Sequence, residues 1–176
     1  MGKPAHLFVF TVYDWISGER VMSSGWKILE AHANDHAFLV DAQIKMALET
    51  EGLKLDENTV ALGVGAVLLD STKGRYFVVK NDSGVRIACT LTIPEWSDWR
   101  NGTVLWIHSL YVRPDHRGKG VYRAMYSHLK SKVTSDPQLM GIRLYVDQRN
   151  ERACAVYEKL GMSAEHYRLY EWMKTF

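Results

Sequence analysis

From Thr103 to Val112 the chain runs through a long β-rich stretch, Pro114 stops it, and from Gly120 apolar residues recur at Val121, Ala124, Met125, Leu129 and Val133. The first stretch suits a strand, and the second has the spacing of an amphipathic helix. A long strand feeding a helix through a short turn needs a sheet to bury the one and a second layer to bury the other. The chain is thereby committed to an α/β (α+β) plan.

The flanks fill in that plan. Trp26 to Leu29 reads as a short strand. Asn34 or Asp35 can cap a helix running to about Glu51, with Gly52 as its stop. Asp56 can cap a second helix through Val60, Val64, Val67 and Leu68, although Gly63 and Gly65 weaken it. Tyr76–Lys80 and Val85–Ile93 are β-rich and separated by Asn-Asp-Ser-Gly, a hairpin signal. Pro94–Gly102 reads as a polar and aromatic loop. After Asp136-Pro137, the alternation of Ile142, Leu144 and Val146 marks a strand. Ala153, Val156, Tyr157 and Leu160 form a helical stripe that Gly161 ends, and 166–173 reads as a last strand. The expected product is one domain over 23–176, a mixed, mostly antiparallel sheet flanked by helices. Residues 1–22 stand outside it as an N-terminal extension.

Whole-chain properties exclude several functions. The 176 residues carry 22 basic and 20 acidic side chains, a balance of +2. That is too even for a nucleic-acid binder recognised by bulk charge. No apolar run approaches the roughly 18 residues of a membrane span, and no secretory signal is evident. The two cysteines, Cys89 and Cys154, fit reduced thiols in the cytoplasm better than a disulfide framework or structural zinc. His32 and His36 share a helical spacing, but no acidic ligand completes a metal motif, so no metal is expected.

The chemistry concentrates in Arg117-Gly118-Lys119-Gly120. Two glycines allow a tight turn and close backbone approach to a ligand. The following helix start presents unpaired N–H groups and a positive dipole end, and Arg117, Lys119 and Arg123 add charge. The turn suits a diphosphate. It is neither a P-loop nor a G-x-G-x-x-G fingerprint, and taken alone such a string reads equally as a solvated surface turn.

The longer stretch Ile107-His-Ser-Leu-Tyr-Val-Arg-Pro-Asp-His-Arg-Gly-Lys-Gly-Val-Tyr resembles motif A of the GNAT N-acetyltransferase superfamily, a strand followed by Arg/Gln-x-x-Gly-x-Gly/Ala and a helix. Arg117 and Gly120 fit; Tyr122 departs, since Gly or Ala usually stands there. Leu144-Tyr-Val-Asp-Gln-Arg-Asn150, with Ala153, Tyr157 and Leu160-Gly161-Met162, resembles motif B. Together the two cover roughly residues 103–162.

The resemblance implies an acetyl-CoA-dependent N-acetyltransferase whose splayed strand pair holds the acyl-pantetheine. Leu110 and Val112 would offer it backbone groups, the Val112 N–H meeting the thioester carbonyl. Arg117, Gly118, Lys119, Gly120, Val121 and Tyr122 would hold the pyrophosphate. Asn150 would bond the pantetheine arm or cap the next helix. Tyr157 matches the phenol that protonates the departing thiolate in many members; its alternative is a core aromatic. His108 looks like the histidine that supports amine deprotonation in arylalkylamine N-acetyltransferases, or is a histidine satisfied in the sheet. Strand alternation puts it on the face of Leu110 and Val112. For the acceptor, Glu51, Trp96 and Tyr170 are the candidates, within a wider set including Glu49, Asp56, Glu95, Asp98 and Trp99. Carboxylates and aromatics would suit a small cationic amine. A homodimer is compatible with this reading. A non-catalytic acyl-CoA-binding or sensing domain of the same fold is the competing function.

Overall fold

The computed structural model describes residues 25–146, 150–165, 169, 170, 172 and 174. The expected extension over 1–22 therefore lies outside the described residues. Five strands form one sheet in the order β1 (Lys27–Glu30), β2 (Arg75–Lys80), β3 (Arg86–Ser97), β4 (Gly102–Val112) and β5 (Leu139–Leu144). The first three pairings are antiparallel and β4 with β5 is parallel. The helices are α1 (His36–Glu51), α2 (Glu57–Leu69), α3 (Val121–Ser135) and α4 (Glu151–Lys159). This is the mixed, mostly antiparallel sheet with helical layers that the periodicities predict.

Each face of the sheet has its own core. Val78, Cys89, Leu91 and Tyr111 meet Leu39 and Val40 of α1 and Val64 of α2 on one side. On the other, Val79, Ile87 and Ala88 meet Val121 and Met125 of α3. Phe77 and Ile107 meet Tyr126 and Leu129 there, and Leu160 and Met162 close over them from the end of α4. Burying an aliphatic side chain such as Val64 of α2 stabilises by about 1.5–3 kcal/mol, which offsets the weak propensity of that glycine-bearing helix. That helix forms despite Gly63 and Gly65, started by the Asp56 carboxylate, which accepts from the Thr59 N–H at 2.8 Å.

Two expected strands have different bounds. Pro94–Ser97 belongs to β3 instead of a loop. The β2 ladder ends at Arg75–Thr92, so Pro94 lies where one side of β3 has no strand partner, an edge condition that tolerates proline. The last sheet strand runs Leu139–Leu144, starting three residues before Ile142, while Tyr145 and Val146 leave the ladder. The expected strand over 166–173 falls largely outside the described residues, and Leu169, Tyr170 and Trp172 carry no strand assignment.

Asp35 does not cap α1 with its side chain. Only 3% exposed, it ends a 3-10 turn over Ala33–Asp35, accepts from the His32 N–H at 2.9 Å and pairs with Arg86 at 2.5 Å and Lys80 at 3.7 Å. Burial pushes its carboxyl up, but the His32 N–H and the Arg86 and Lys80 charges outweigh that and hold it below the usual carboxylate value. A folded pKa below the unfolded one adds stability above the unfolded pKa, lost as pH falls through the folded value. Asp35→Ala is expected to destabilise by about 2–4 kcal/mol at pH 7, since Arg86 and Lys80 lose their shared anion. The cost should shrink when urea unfolding is repeated below pH 3. An equal cost at both pH values would show that the carboxylate charge contributes nothing.

Candidate active site

Strands β4 and β5 pair only from Thr103–Leu139 to Ile107–Leu144. β4 then continues to Val112 with no β5 residue beside it, while Tyr145 and Val146 turn away. The two parallel strands therefore part beyond Ile107. A β-bulge sits at the parting point: Ile107 pairs with Thr92 and Ser109 with Leu91, which leaves His108 as the extra residue on β4.

Hydrogen-bond direction decides what the open edge offers. The Arg113 N–H donates to the Ile87 carbonyl at 2.9 Å, so the alternation of an antiparallel ladder turns the backbone groups of Ser109 and Tyr111 toward β3 as well. The Thr90 hydroxyl accordingly reaches the Ser109 carbonyl at 2.8 Å. Leu110 and Val112 turn theirs outward. The outward Val112 carbonyl accepts from Arg117 Nε at 2.8 Å, which fixes the direction independently. A single strand face with exposed N–H and C=O groups can take an extended amide chain as it would take another strand.

This edge runs directly into the glycine turn. Gly118 and Gly120 have φ of 73° and 86°, the left-handed region in which a side chain is strained. Gly120 is the N-cap of α3 and its carbonyl accepts from the Ala124 N–H at 3.0 Å. Among the described residues, no acceptor takes the N–H groups of Gly118, Lys119, Gly120, Val121 or Tyr122. A Cβ placed on Gly118 or Gly120 would meet nothing within 4 Å, so no protein atom crowds the turn at either position. Five unpaired donors at a helix start are suited to an anion. Arg117 contributes less directly than its charge suggests. Its guanidinium is held by Glu49 at 2.5 Å and stands 5.8 Å from the Tyr111 ring, tying the turn to the end of α1.

Two phenols lie beside the edge. Tyr122 and Tyr157 meet edge-to-face with centroids 5.5 Å apart, α3 supplying one and α4 the other. Burial pushes the Tyr157 phenol above its ordinary value, with Cys154 adding to the shift. Burial raises Tyr122 further, with contributions from Tyr157 and Tyr126. The Tyr122 hydroxyl is buried and has no hydrogen-bond partner among the described residues. Leaving such a donor unpaired costs about 1–3 kcal/mol. Asn150 caps α4, its Oδ1 accepting from the Ala153 N–H at 3.1 Å.

Residues 29–162 match the model of the acetyltransferase (GNAT) family. The chain belongs to the GNAT acetyltransferase family. No curated protein sequence matches it. It resembles the crystal structure of a possible acetyltransferase from Clostridium difficile 630 at 37% identity and a TM-score of 0.80, over 86% of this chain and 99% of that one. At 16% identity and a TM-score of 0.67 it shares the fold of a ribosomal-protein-alanine N-acetyltransferase from Brucella melitensis, over 84% of this chain and 99% of that one. At 14% and 0.69 it shares the fold of an aminoglycoside N-acetyltransferase in complex with CoA, over 88% and 97%.

The residues expected to border an acceptor do not come together. Glu51 ends α1 near the Glu49–Arg117 tie, at the Val112 end of β4. Trp96 pairs with Thr103 at the other end and is 61% exposed. Nine residue steps of about 3.3 Å place those ends on the order of 30 Å apart, too far for one small pocket. Tyr170 is 89% exposed. Most other candidate acids are engaged: Glu49 by Arg117, Asp56 by Thr59, Asp98 by the Trp99 N–H.

Instead a cluster unforeseen from the sequence flanks the parting strands on the α1–α2 face. Trp106 stacks on Tyr145 with centroids 4.5 Å apart and donates through Nε1 to Glu95, which also accepts from Arg143 at 2.9 Å. The guanidinium of Arg143 stands 5.7 Å from the Trp106 ring. The signal lay in the β3–β4 register: Ile93 opposite Trp106 puts Glu95 on the same face, which reading Pro94 as a loop start conceals. The bulge also changes His108. It removes the period-2 phase with Leu110 and Val112, and Ile107 takes the α3-facing position while His108 is exposed. Among the described residues, no three His, Cys, Asp or Glu side chains stand together as a metal site, and no helix is long and apolar enough to cross a membrane.

Proposed function

We propose that the protein is an acetyl-CoA-dependent N-acetyltransferase that acetylates a primary amine of a small molecule by direct attack. The observation that carries this is continuity: the outward backbone groups of Leu110 and Val112 run straight into five unpaired N–H groups at the start of α3. An amide-bearing arm ending in a diphosphate has that same order of needs. Acetyl-CoA supplies an acetyl group already activated as a thioester.

The chain's own residues do the rest. Gly118 to Tyr122 and the α3 dipole hold the pyrophosphate. Leu110 pairs with the pantetheine amides, and the Val112 N–H meets the thioester carbonyl where negative charge develops. Tyr157 keeps its proton through neutral pH and delivers it to sulfur, whose conjugate acid has pKa about 8.5. His108, exposed at the bulge, takes the amine proton directly or through water. Asn150 caps α4 with its oxygen and keeps its amide NH2 for the pantetheine arm. The acceptor enters on the α1–α2 face, beside Trp106 and Tyr145. The free thiols of Cys89 and Cys154 suit a cytoplasmic setting.

Incubating the purified chain with acetyl-CoA and a panel of polyamines, aminoglycosides, arylalkylamines and lysine or N-terminal peptides, and reading free thiol, tests the reading. Thiol release is expected with at least one small primary amine and to exceed that with the peptides. CoA binding by calorimetry without turnover on any acceptor would argue for an acyl-CoA-sensing domain. Equal competition by simple nucleotides would reduce the site to a phosphate binder.

A further inference from the structure

The residue that departs most from the family pattern carries the least explained atom. Tyr122 occupies the second position of α3, where Gly or Ala would leave space, and its ring packs among residues flanking the parting strands. Its hydroxyl is buried and has no partner among the described residues. A phenol that only filled space would do better as phenylalanine, because a buried hydroxyl without an acceptor opposes folding. The ring is fixed on two sides, by Tyr126 one turn along α3 at 6.3 Å between centroids and by Tyr157 of α4 at 5.5 Å. Its backbone N–H belongs to the anion site at the helix start, and its ring extends from there toward Tyr157. Tyr122 thus spans the interval between the diphosphate turn and the phenol placed at the sulfur.

We propose that the Tyr122 hydroxyl is a ligand for the pantetheine arm of CoA, donating a hydrogen bond to an amide carbonyl of the arm and gaining its partner only when the cofactor binds. The assignment rests on the acetyltransferase reading above. Tyr122 then contributes twice, through its N–H at the phosphates and its hydroxyl farther along the arm. The loss of backbone closeness that a large residue imposes at this position is offset by a side-chain contact that Gly or Ala does not make.

Tyr122→Phe removes one oxygen and keeps the ring contacts. Calorimetry with two probes separates the hydroxyl from the turn. CoA carries the arm, whereas 3′-phospho-ADP has only the nucleotide and diphosphate. The variant is expected to bind CoA five- to tenfold more weakly, which is about 1–1.4 kcal/mol, and to bind 3′-phospho-ADP as the wild type does. Its ligand-free melting temperature is expected to equal or exceed the wild-type value, since an unpaired hydroxyl is gone. Unchanged CoA affinity, an equal loss for both probes, or a lower ligand-free melting temperature would each overturn the assignment. Tyr126→Phe, one turn along the same helix, is the control and should leave both affinities unchanged; a matching CoA loss there would point to general loosening of the cluster and also count against it. If the wild-type chain binds no CoA, the parent reading fails too, and that result appears before any substitution is made.

Discussion

Replacing Gly120 by aspartate is expected to weaken acetyl-CoA binding roughly a hundredfold or more while leaving the fold in place. Two separate effects add. The backbone at position 120 sits at φ 86°, where a residue with a Cβ costs about 1–2 kcal/mol, least for Asn and Asp. That strain falls on folding and should lower the melting temperature by only a few degrees in a chain of this length. The larger effect falls on the ligand. A Cβ here meets no protein atom within 4 Å, so a carboxylate has room beside the turn that carries the unpaired N–H groups of Gly118 to Tyr122. It would satisfy those donors internally and oppose a diphosphate by charge. Together these are worth about 3 kcal/mol, or roughly 10²-fold in Kd. Calorimetry against CoA, with a melt in parallel, reads both parts. Unchanged affinity would remove this loop from the binding site, and loss of the folded state would show that strain dominates.

Tyr157→Phe is the second large effect, and it should appear in turnover. If the phenol delivers the proton to sulfur, its removal should lower kcat by roughly 10²-fold, about 2.7 kcal/mol of barrier, and leave the Kd for CoA within about threefold. Burial already places the Tyr157 phenol above its ordinary value near 10. The proton donor therefore stays protonated across the assay range, and wild-type kcat should show no alkaline fall from this group below about pH 10. The ring contact with Tyr122 survives in phenylalanine, so the edge-to-face packing, worth about 0.5–1.5 kcal/mol, is preserved. Normal turnover with weakened CoA binding would make Tyr157 a packing residue.

Both predictions concern residues readable from the sequence, and the reason is locality. The turn from Arg117 to Tyr122 works through backbone conformation and a helix start, which glycine placement and apolar periodicity specify within a few residues. Asn150 and Tyr157 share one short helix, so their spacing is equally local. The acceptor side was different. Glu51, Trp96 and Tyr170 each carry suitable chemistry, but sequence spacing holds no information on which end of a strand another element meets. Trp96 and the Glu49–Arg117 tie prove to be at opposite ends of β4. The face expected for His108 shifted for a related reason. Strict alternation assumes an unbroken ladder, and one bulge opposite Leu91 and Thr92 shifts its phase.

The sequence by itself determined the strand–turn–helix unit, the order of nearly all the elements and the conformations demanded of Gly118 and Gly120, because these follow from short-range sterics and period. Only the tertiary structure decided three further matters. Arg117 is committed to Glu49 and the Val112 carbonyl, Glu95 to Trp106 and Arg143, and the Tyr122 hydroxyl to no partner among the described residues. Each depends on which side chains from distant segments arrive at one place. That is fixed by sheet register and helix packing across tens of residues, where no local pattern in the chain reaches.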